Sequence, residues 1–255
     1  MKLLLNIGVS SMKCTIVGMW GGFPKKNEPT SGYLIEKGGF AILLDAGSGV
    51  AAHVQNYIEL NKLDHLFLSH YHYDHAADFG SFLFGRMIST YIGEVDKHLN
   101  IYGPKDDDII KQVEDTKFNT FHPYDKNSAF NVGPFTITFH KNRHPVETYA
   151  MKITDDEGQT LVYTADTSYT ESLVKFAENA DVLITECSHY EGEDAERLGH
   201  MNAEEVALLA GKSGAKKVVL SHLPHYGNIE ELLQTVKSAG IEEAVLAETG
   251  IEIEM

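Results

Sequence analysis

An α/β fold is what this sequence predicts: two packed sheets with helices outside them, a four-layer αββα sandwich. Strand-like runs cluster toward both ends of the chain, with helical segments interleaved between them. The chain has 255 residues, 43% hydrophobic and 23% charged, and no Pro/Ser-rich linker divides it, so it can bury one sizeable core. Leu66-Phe67-Leu68-Ser69-His70 also has an echo in Val218-Val219-Leu220-Ser221-His222. The echo is either a coincidence of a short match or the trace of a duplicated αβ half with ligands at equivalent strand ends.

The elements follow in order. Lys2 and Leu3-Leu4-Leu5 have the look of a signal peptide, but the apolar run is too short and no small-x-small site follows. Met12 stands directly before the strand-like 13–17, so residues 1–11 are expected to be an upstream extension or disordered leader and 12–255 one domain. Residues 14–17 read as a strand. Gly18-Met19-Trp20-Gly21-Gly22-Phe23-Pro24 cannot continue it; such a loop brings backbone close to a ligand or simply turns, and Trp20 either walls a pocket or packs. Residues 32–36 and 40–44 form a hairpin around Lys37-Gly38-Gly39. Asp45 then serves as a turn residue or as a buried partner for a ligand histidine. Helical spacing covers 50–60, and 63–68 is a strand. Residues 76–88 are helical with core-type aromatic spacing, and 99–102 is a strand ended by Gly103-Pro104. Residues 106–117 are a polar helix whose acidic start suits the helix dipole. Further strands are expected at 135–140, 149–153 with 160–163 as a hairpin, 182–185, 217–220 and 243–246. Ser168-x-x-Glu171, Asn202-x-x-Glu205 and Asn228-x-x-Glu231 each mark a helix start, with Gly211 or Gly214 and Gly240 as stops.

Composition narrows the function classes. Cys14 and Cys187 are the only cysteines, which excludes a disulfide framework, leaves room for one bridge and suits a reducing cytosol. No apolar run reaches the length of a membrane span. The net charge of −16 argues against a large basic surface for nucleic acid.

The informative stretch is Ser69-His70-Tyr71-His72-Tyr73-Asp74-His75, with four metal-ligand types in the order His-x-His-x-Asp-His behind an apolar strand. Imidazole and carboxylate suit zinc and similar cations. On an extended backbone His70 and His72 point the same way, whereas the adjacent Asp74 and His75 diverge. One ion rarely draws four ligands from so short a loop, so the spacing suggests two metals. Three more candidates stand at strand ends: His144 in Arg143-His144-Pro145-Val146, Asp166 after Leu161-Val162-Tyr163-Thr164-Ala165, and His222 closing the echo strand. The remaining histidines, His53, His65, His98, His122, His140, His189 and His225, lack this context and read as structural.

In motif order and context the chain after Met12 resembles the metallo-β-lactamase fold superfamily. That resemblance implies a first ion on His70, His72 and His144, a second on Asp74, His75 and His222, and Asp166 bridging them. Two divalent ions, zinc first and manganese second, would carry +4 against about −2 from two carboxylates and five neutral histidines, a pocket fit for a small anionic substrate. Such a pair activates a hydroxide as nucleophile by lowering the pKa of water, and Asp74 would orient it or take its proton. Glu186, in Leu183-Ile184-Thr185-Glu186-Cys187, and His200, in Gly199-His200-Met201-Asn202, match the Glu and His of the ribonuclease Z branch, where the His faces the leaving group as general acid. Free N–H groups of the helix after Asp166 would add anion affinity. Asp166 follows His144 by 22 positions, too few for the tRNA-gripping arm of true ribonuclease Z, so the chain resembles the arm-less relatives. The expectation is a cytoplasmic metallo-hydrolase of a small or cyclic phosphodiester. It has no membrane partner, a large nucleic acid is disfavoured as substrate, and a homodimer is implied by the resemblance alone. A thioester or lactone hydrolase, a tRNA 3′-end endoribonuclease and a non-hydrolytic metal-holding or redox protein are the alternatives.

Overall fold

The computed structural model describes residues 11–114 and 116–255, so the expected leader lies, apart from Ser11, outside the described residues. The strands, in chain order, are β1 (Lys13–Gly18), β2 (Gly32–Lys37), β3 (Phe40–Leu44), β4 (His65–Phe67), β5 (Leu99–Pro104), β6 (Asn119–Tyr124), β7 (Ala129–Val132), β8 (Phe135–Lys141), β9 (Tyr149–Asp155), β10 (Thr160–Tyr163), β11 (Val182–Glu186), β12 (Lys217–Ser221), β13 (Ala244–Leu246) and β14 (Glu252–Glu254). The helices are α1 (Val50–His53), α2 (Tyr73–Ala76), α3 (Phe79–Tyr91), α4 (Asp107–Glu114), α5 (Glu171–Phe176), α6 (Ala203–Ser213) and α7 (Ile229–Ser238).

The strands form two seven-stranded mixed sheets, β14-β1-β2-β3-β4-β5-β6 and β13-β12-β11-β10-β9-β8-β7. Residues alternate between two cores, as a period of two requires. On β2, Tyr33 and Ile35 enter the core between the sheets, while Leu34 faces the outer core with Val50, Val54, Phe79, Phe82 and Leu83 of the helices outside the first sheet. Helices α5, α6 and α7 pack outside the second sheet through Leu173, Val206, Leu209, Leu232 and Val236. The expected sandwich is the observed architecture.

The duplication is real in topology, but the echo is out of register with it. Each sheet runs three antiparallel pairings and then three parallel ones: β14 to β3, then β3 to β6, in the first, and β7 to β10, then β10 to β13, in the second. This places β3 opposite β10, so Asp45 and Asp166 follow equivalent strands. It places β4 opposite β11, not opposite the echo strand β12.

Several boundaries differ from the sequence expectation. Gly103-Pro104 does not end β5, which pairs with β6 through Pro104. The helix expected over 50–60 is α1 followed by 3₁₀ turns, and the one expected over 76–88 is α2 and α3 with a break between them. The predicted cap at Ser168 is wrong. Thr170 caps α5, its hydroxyl accepting from Leu173 N–H at 3.1 Å, while Ser168 donates to the Glu196 carbonyl. The helix begins at Glu171, and its Leu173 N–H is already taken by the Thr170 hydroxyl. Strands β6, β7 and β14 were not expected, because runs this short and mixed in character gain strand geometry from pairing rather than from their own alternation. Cys14 and Cys187 are both buried and free, so no bridge joins them. Among the described residues no helix is long and apolar enough to cross a membrane.

Candidate metal centre

The centre lies where strands of both sheets end. On the first sheet, Asp45 follows β3 in a left-handed conformation, φ 58°, and is fully buried. Its carboxylate accepts from Ser69 N–H (2.7 Å), Ser69 Oγ–H (2.8 Å), Tyr163 O–H (2.7 Å) and His75 Nδ1–H (2.7 Å). Of the two readings of Asp45, the buried partner of a histidine is the observed one. One carboxylate thus ties the exit of β3 to the loop after β4 and to β10. The single turn α2 then presents Asp74 and His75.

All seven residues named from sequence converge. His70, His72, His144 and Asp166 form one group and Asp74, His75, Asp166 and His222 another, each with candidate ligand atoms within 4.8 Å of one another. His72 Nδ1 lies 3.1 Å from His70 Nε2 and 3.3 Å from His144 Nε2. Asp166 is common to both groups. Its Oδ2 is 3.7 Å from His70 Nε2 and 3.9 Å from His144 Nε2, and its Oδ1 is 3.2 Å from His75 Nε2 and 3.4 Å from His222 Nε2. Asp74 Oδ2 lies 3.0 Å from His222 Nε2 and 3.7 Å from His75 Nε2.

The outer nitrogens explain why the inner ones face each other. Nδ1–H of His70 donates to Ser69 Oγ (3.0 Å), of His144 to the Gly199 carbonyl (2.9 Å), and of His222 to Ser188 Oγ (2.8 Å); His75 uses Asp45. Each bond selects the tautomer whose Nε2 lone pair points inward, as metal-ligating histidines require. His75 Nε2 and Asp166 Oδ1 are buried and face each other at 3.2 Å, and neither has a further hydrogen-bond partner. Orphaned buried groups of this kind are costly unless a cation meets them, so the donor set fits divalent metal. Burial and the neighbouring imidazoles push His70 well down, burial raises Asp166 but His222 and His75 hold it well below the carboxylate range, and burial lowers His75 but Asp166 and Asp45 hold it well above the ordinary imidazole value.

The 18–24 loop closes one side. A Cβ on Gly21 would lie 2.7 Å from the His222 ring, so only glycine lets this backbone pass. Gly22 N–H donates to Asp74 Oδ2 at 2.7 Å. Trp20 is 3% exposed and packs rather than walling a pocket.

Glu186 and His200 meet beside this cluster. His200 Nδ1–H donates to Glu186 Oε2 at 3.0 Å, and its ring lies 5.1 Å from that of His144 and 5.4 Å from that of His222. Burial lowers the His200 pKa, but the Glu186 carboxylate outweighs it and raises it to about 9. Glu186 is 1% exposed and also accepts from Thr167 N–H, Met201 N–H and Ser188 Oγ–H. Ser188 therefore links His222 to Glu186, a residue sequence reasoning missed. The available signal was its place two residues beyond Glu186, on the same side of an extended chain. The Gly199 carbonyl, being backbone, gave no such signal.

A family model described as "Beta-lactamase superfamily domain" matches residues 40–223. The chain belongs to the β-lactamase superfamily, with the metallo-β-lactamase fold. Superfamily relatives span nearly the whole chain. A "Probable metallo-hydrolase YhfI" of Bacillus subtilis is 41% identical over 242 residues, covering 94% of this chain and 98% of that protein. The crystal structure of that metallo-β-lactamase fold protein matches with a TM-score of 0.90, covering 96% and 100% of the two chains. A diphosphatase from the PhnP family shares the fold at 16% identity, with a TM-score of 0.75 and coverage of 96% and 97%. This superfamily member is thus a metallo-hydrolase whose clustered His and Asp residues suit divalent metal.

Proposed function

We propose that this metallo-hydrolase cleaves a small phosphodiester, with two divalent ions, zinc first, held by His70, His72 and His144 and by Asp74, His75 and His222 across Asp166. The observation that carries the reading is the Glu186–His200 pair, 3.0 Å apart, with the His200 ring stacked on His222 and edge-on to His144. Bound there, divalent cations supply Lewis acidity and acidify water. The chain's own residues do the rest. Asp74 accepts a proton from the attacking water, and Gly22 N–H holds its carboxylate for that role. His200, with Nδ1 committed to Glu186, delivers a proton from its other nitrogen to the departing alkoxide. Glu186 stabilises the imidazolium needed for that donation. A small substrate is favoured because the span from His144 to Asp166 holds only the β9–β10 hairpin and its flanking turns. A ribonuclease Z of Saccharolobus solfataricus is 25% identical over 271 residues, which supports the phosphodiester class without setting the substrate's size.

The test is His200→Ala on zinc-loaded protein. General acid catalysis contributes about 10²–10⁴-fold, so kcat should fall by about that much for an alkyl leaving group and far less for a nitrophenyl one, with metal content unchanged. Equal losses for both leaving groups would remove His200 from the reaction. Thioester or lactone turnover without phosphodiester turnover would overturn the substrate class.

A further inference from the structure

The 18–24 loop carries a feature that the proposed chemistry leaves unused. Lys25 Nζ sits 3.3 Å from the centroid of the Trp20 ring, Trp20 stacks on His225 at 5.2 Å, and His225 stacks on Phe23 at 3.6 Å with the planes 6° apart. The column is anchored at each layer. Trp20 Nε1–H donates to Glu28 at 2.7 Å, and His225 Nε2–H is shared between the carbonyls of Gly21 (2.9 Å) and Phe23 (2.7 Å). A cation closes one end. The other end is Phe23, which is 59% exposed although its inner face is covered.

The place of this ring is telling. Gly21 lies against the His222 ring and Gly22 N–H bonds Asp74, so Phe23 is the next residue out from the candidate centre. Its Cα is about 3.8 Å from that of Gly22.

We infer that the outer face of Phe23 is a stacking platform for a flat ring of the substrate, so that the phosphodiester cleaved here is a nucleotide. The inference rests on the phosphodiester reading of the centre. Every nucleobase has a π-face, so a platform of this kind favours a base over no base and discriminates little among bases.

The experiment uses the full, metal-loaded chain with Phe23→Ala and Phe23→Leu, on a nucleoside cyclic phosphate and on the base-free ribose cyclic phosphate. The kcat/KM preference for the nucleoside substrate should fall by about five- to 150-fold in both variants, the range for one base–aromatic stack. In parallel, a nucleoside 5′-monophosphate is titrated while the fluorescence of Trp20, the only tryptophan, is followed two rings below the platform. A saturable change that Phe23→Ala weakens by a similar factor supports the platform. Phe23-dependent nucleotide binding with no phosphodiester hydrolysed keeps the platform and removes the proposed reaction. Hydrolysis with preference and affinity unchanged in both variants, or a preference retained by Phe23→Leu, removes the platform and leaves the reaction standing.

Discussion

Four donors meet on the buried carboxylate of Asp45. Among them, His75 Nδ1–H sets the direction of the His75 lone pair. Replacing such an outer partner costs about 10–100-fold in metal affinity. Asp45→Asn should therefore weaken zinc binding by that factor while leaving the seven candidate ligands in place. Competition with a chromophoric chelator measures it, and wild-type affinity in the variant would mean that Asp45 only shapes the turn. Sequence alone left Asp45 with two readings, because an Asp ending a strand is common in plain turns.

At the scale of elements, α6 holds His200 in place. Asn202 caps it with a full capping box: its side chain accepts from Glu205 N–H at 3.0 Å and Glu205 reaches back to Asn202 N–H at 3.0 Å. Met201 N–H, just before the cap, is already bonded to Glu186. The helix start and the Glu186–His200 pair are thus one rigid corner. Losing an N-cap side chain costs about 0.5–2 kcal/mol, so Asn202→Ala should lower unfolding free energy by that much. It should also lower kcat more for poor leaving groups than for good ones, as displacement of His200 requires. A stability loss with an unchanged leaving-group dependence would separate the cap from the proposed role of the Glu186–His200 pair. The capping box was legible because its residues lie within one turn. The cap at Thr170 was not, since Ser168 carried an equally good local signature and only its bond to Glu196 diverted it.

For the whole molecule, the candidate ligands come from both sheets, so metal bound among them cross-links the two halves. Metal at a hundredfold over its Kd should add about 2.7 kcal/mol to stability, and a chelator should remove it. Thermal unfolding with and without chelator checks this, and identical midpoints would count against a site that spans the sandwich. A second tie is pH-sensitive. Lys37 on β2 reaches Asp155 at the end of β9 at 2.7 Å, with Asp156 at 2.7 Å and Glu157 at 3.1 Å. Burial raises the Asp155 pKa, but Lys37 and the Gln159 and Glu157 N–H groups outweigh it and leave it below the ordinary value of 3.8. A folded pKa below the unfolded one contributes stability in full above the unfolded value and loses it as pH falls through the folded one. Denaturant unfolding between about pH 5 and about pH 2 should thus show a shallower acid loss for Lys37→Met than for wild type. Parallel curves would mean that the bridge is not formed in solution.

The seven converging side chains were nameable beforehand because each obeys a local rule: His-x-His on extended backbone, an adjacent Asp-His pair, or a ligand type just past an apolar run. The sandwich followed from the same runs. Strands β6, β7 and β14 escaped notice because they are held by their neighbours, and so did the match of β4 with β11 beneath a misleading echo. Ser188, Ser69, Tyr163 and the Gly199 carbonyl belong to that second kind. Their residue types are too common to signal, and their roles arise only where two sheets meet. Sequence by itself therefore determined which atoms are suited to grip a cation, since ligand chemistry belongs to the residue. Tertiary structure alone decided which nitrogen of His70, His75, His144 and His222 points inward, because that choice is made by a hydrogen bond on the far side of the ring.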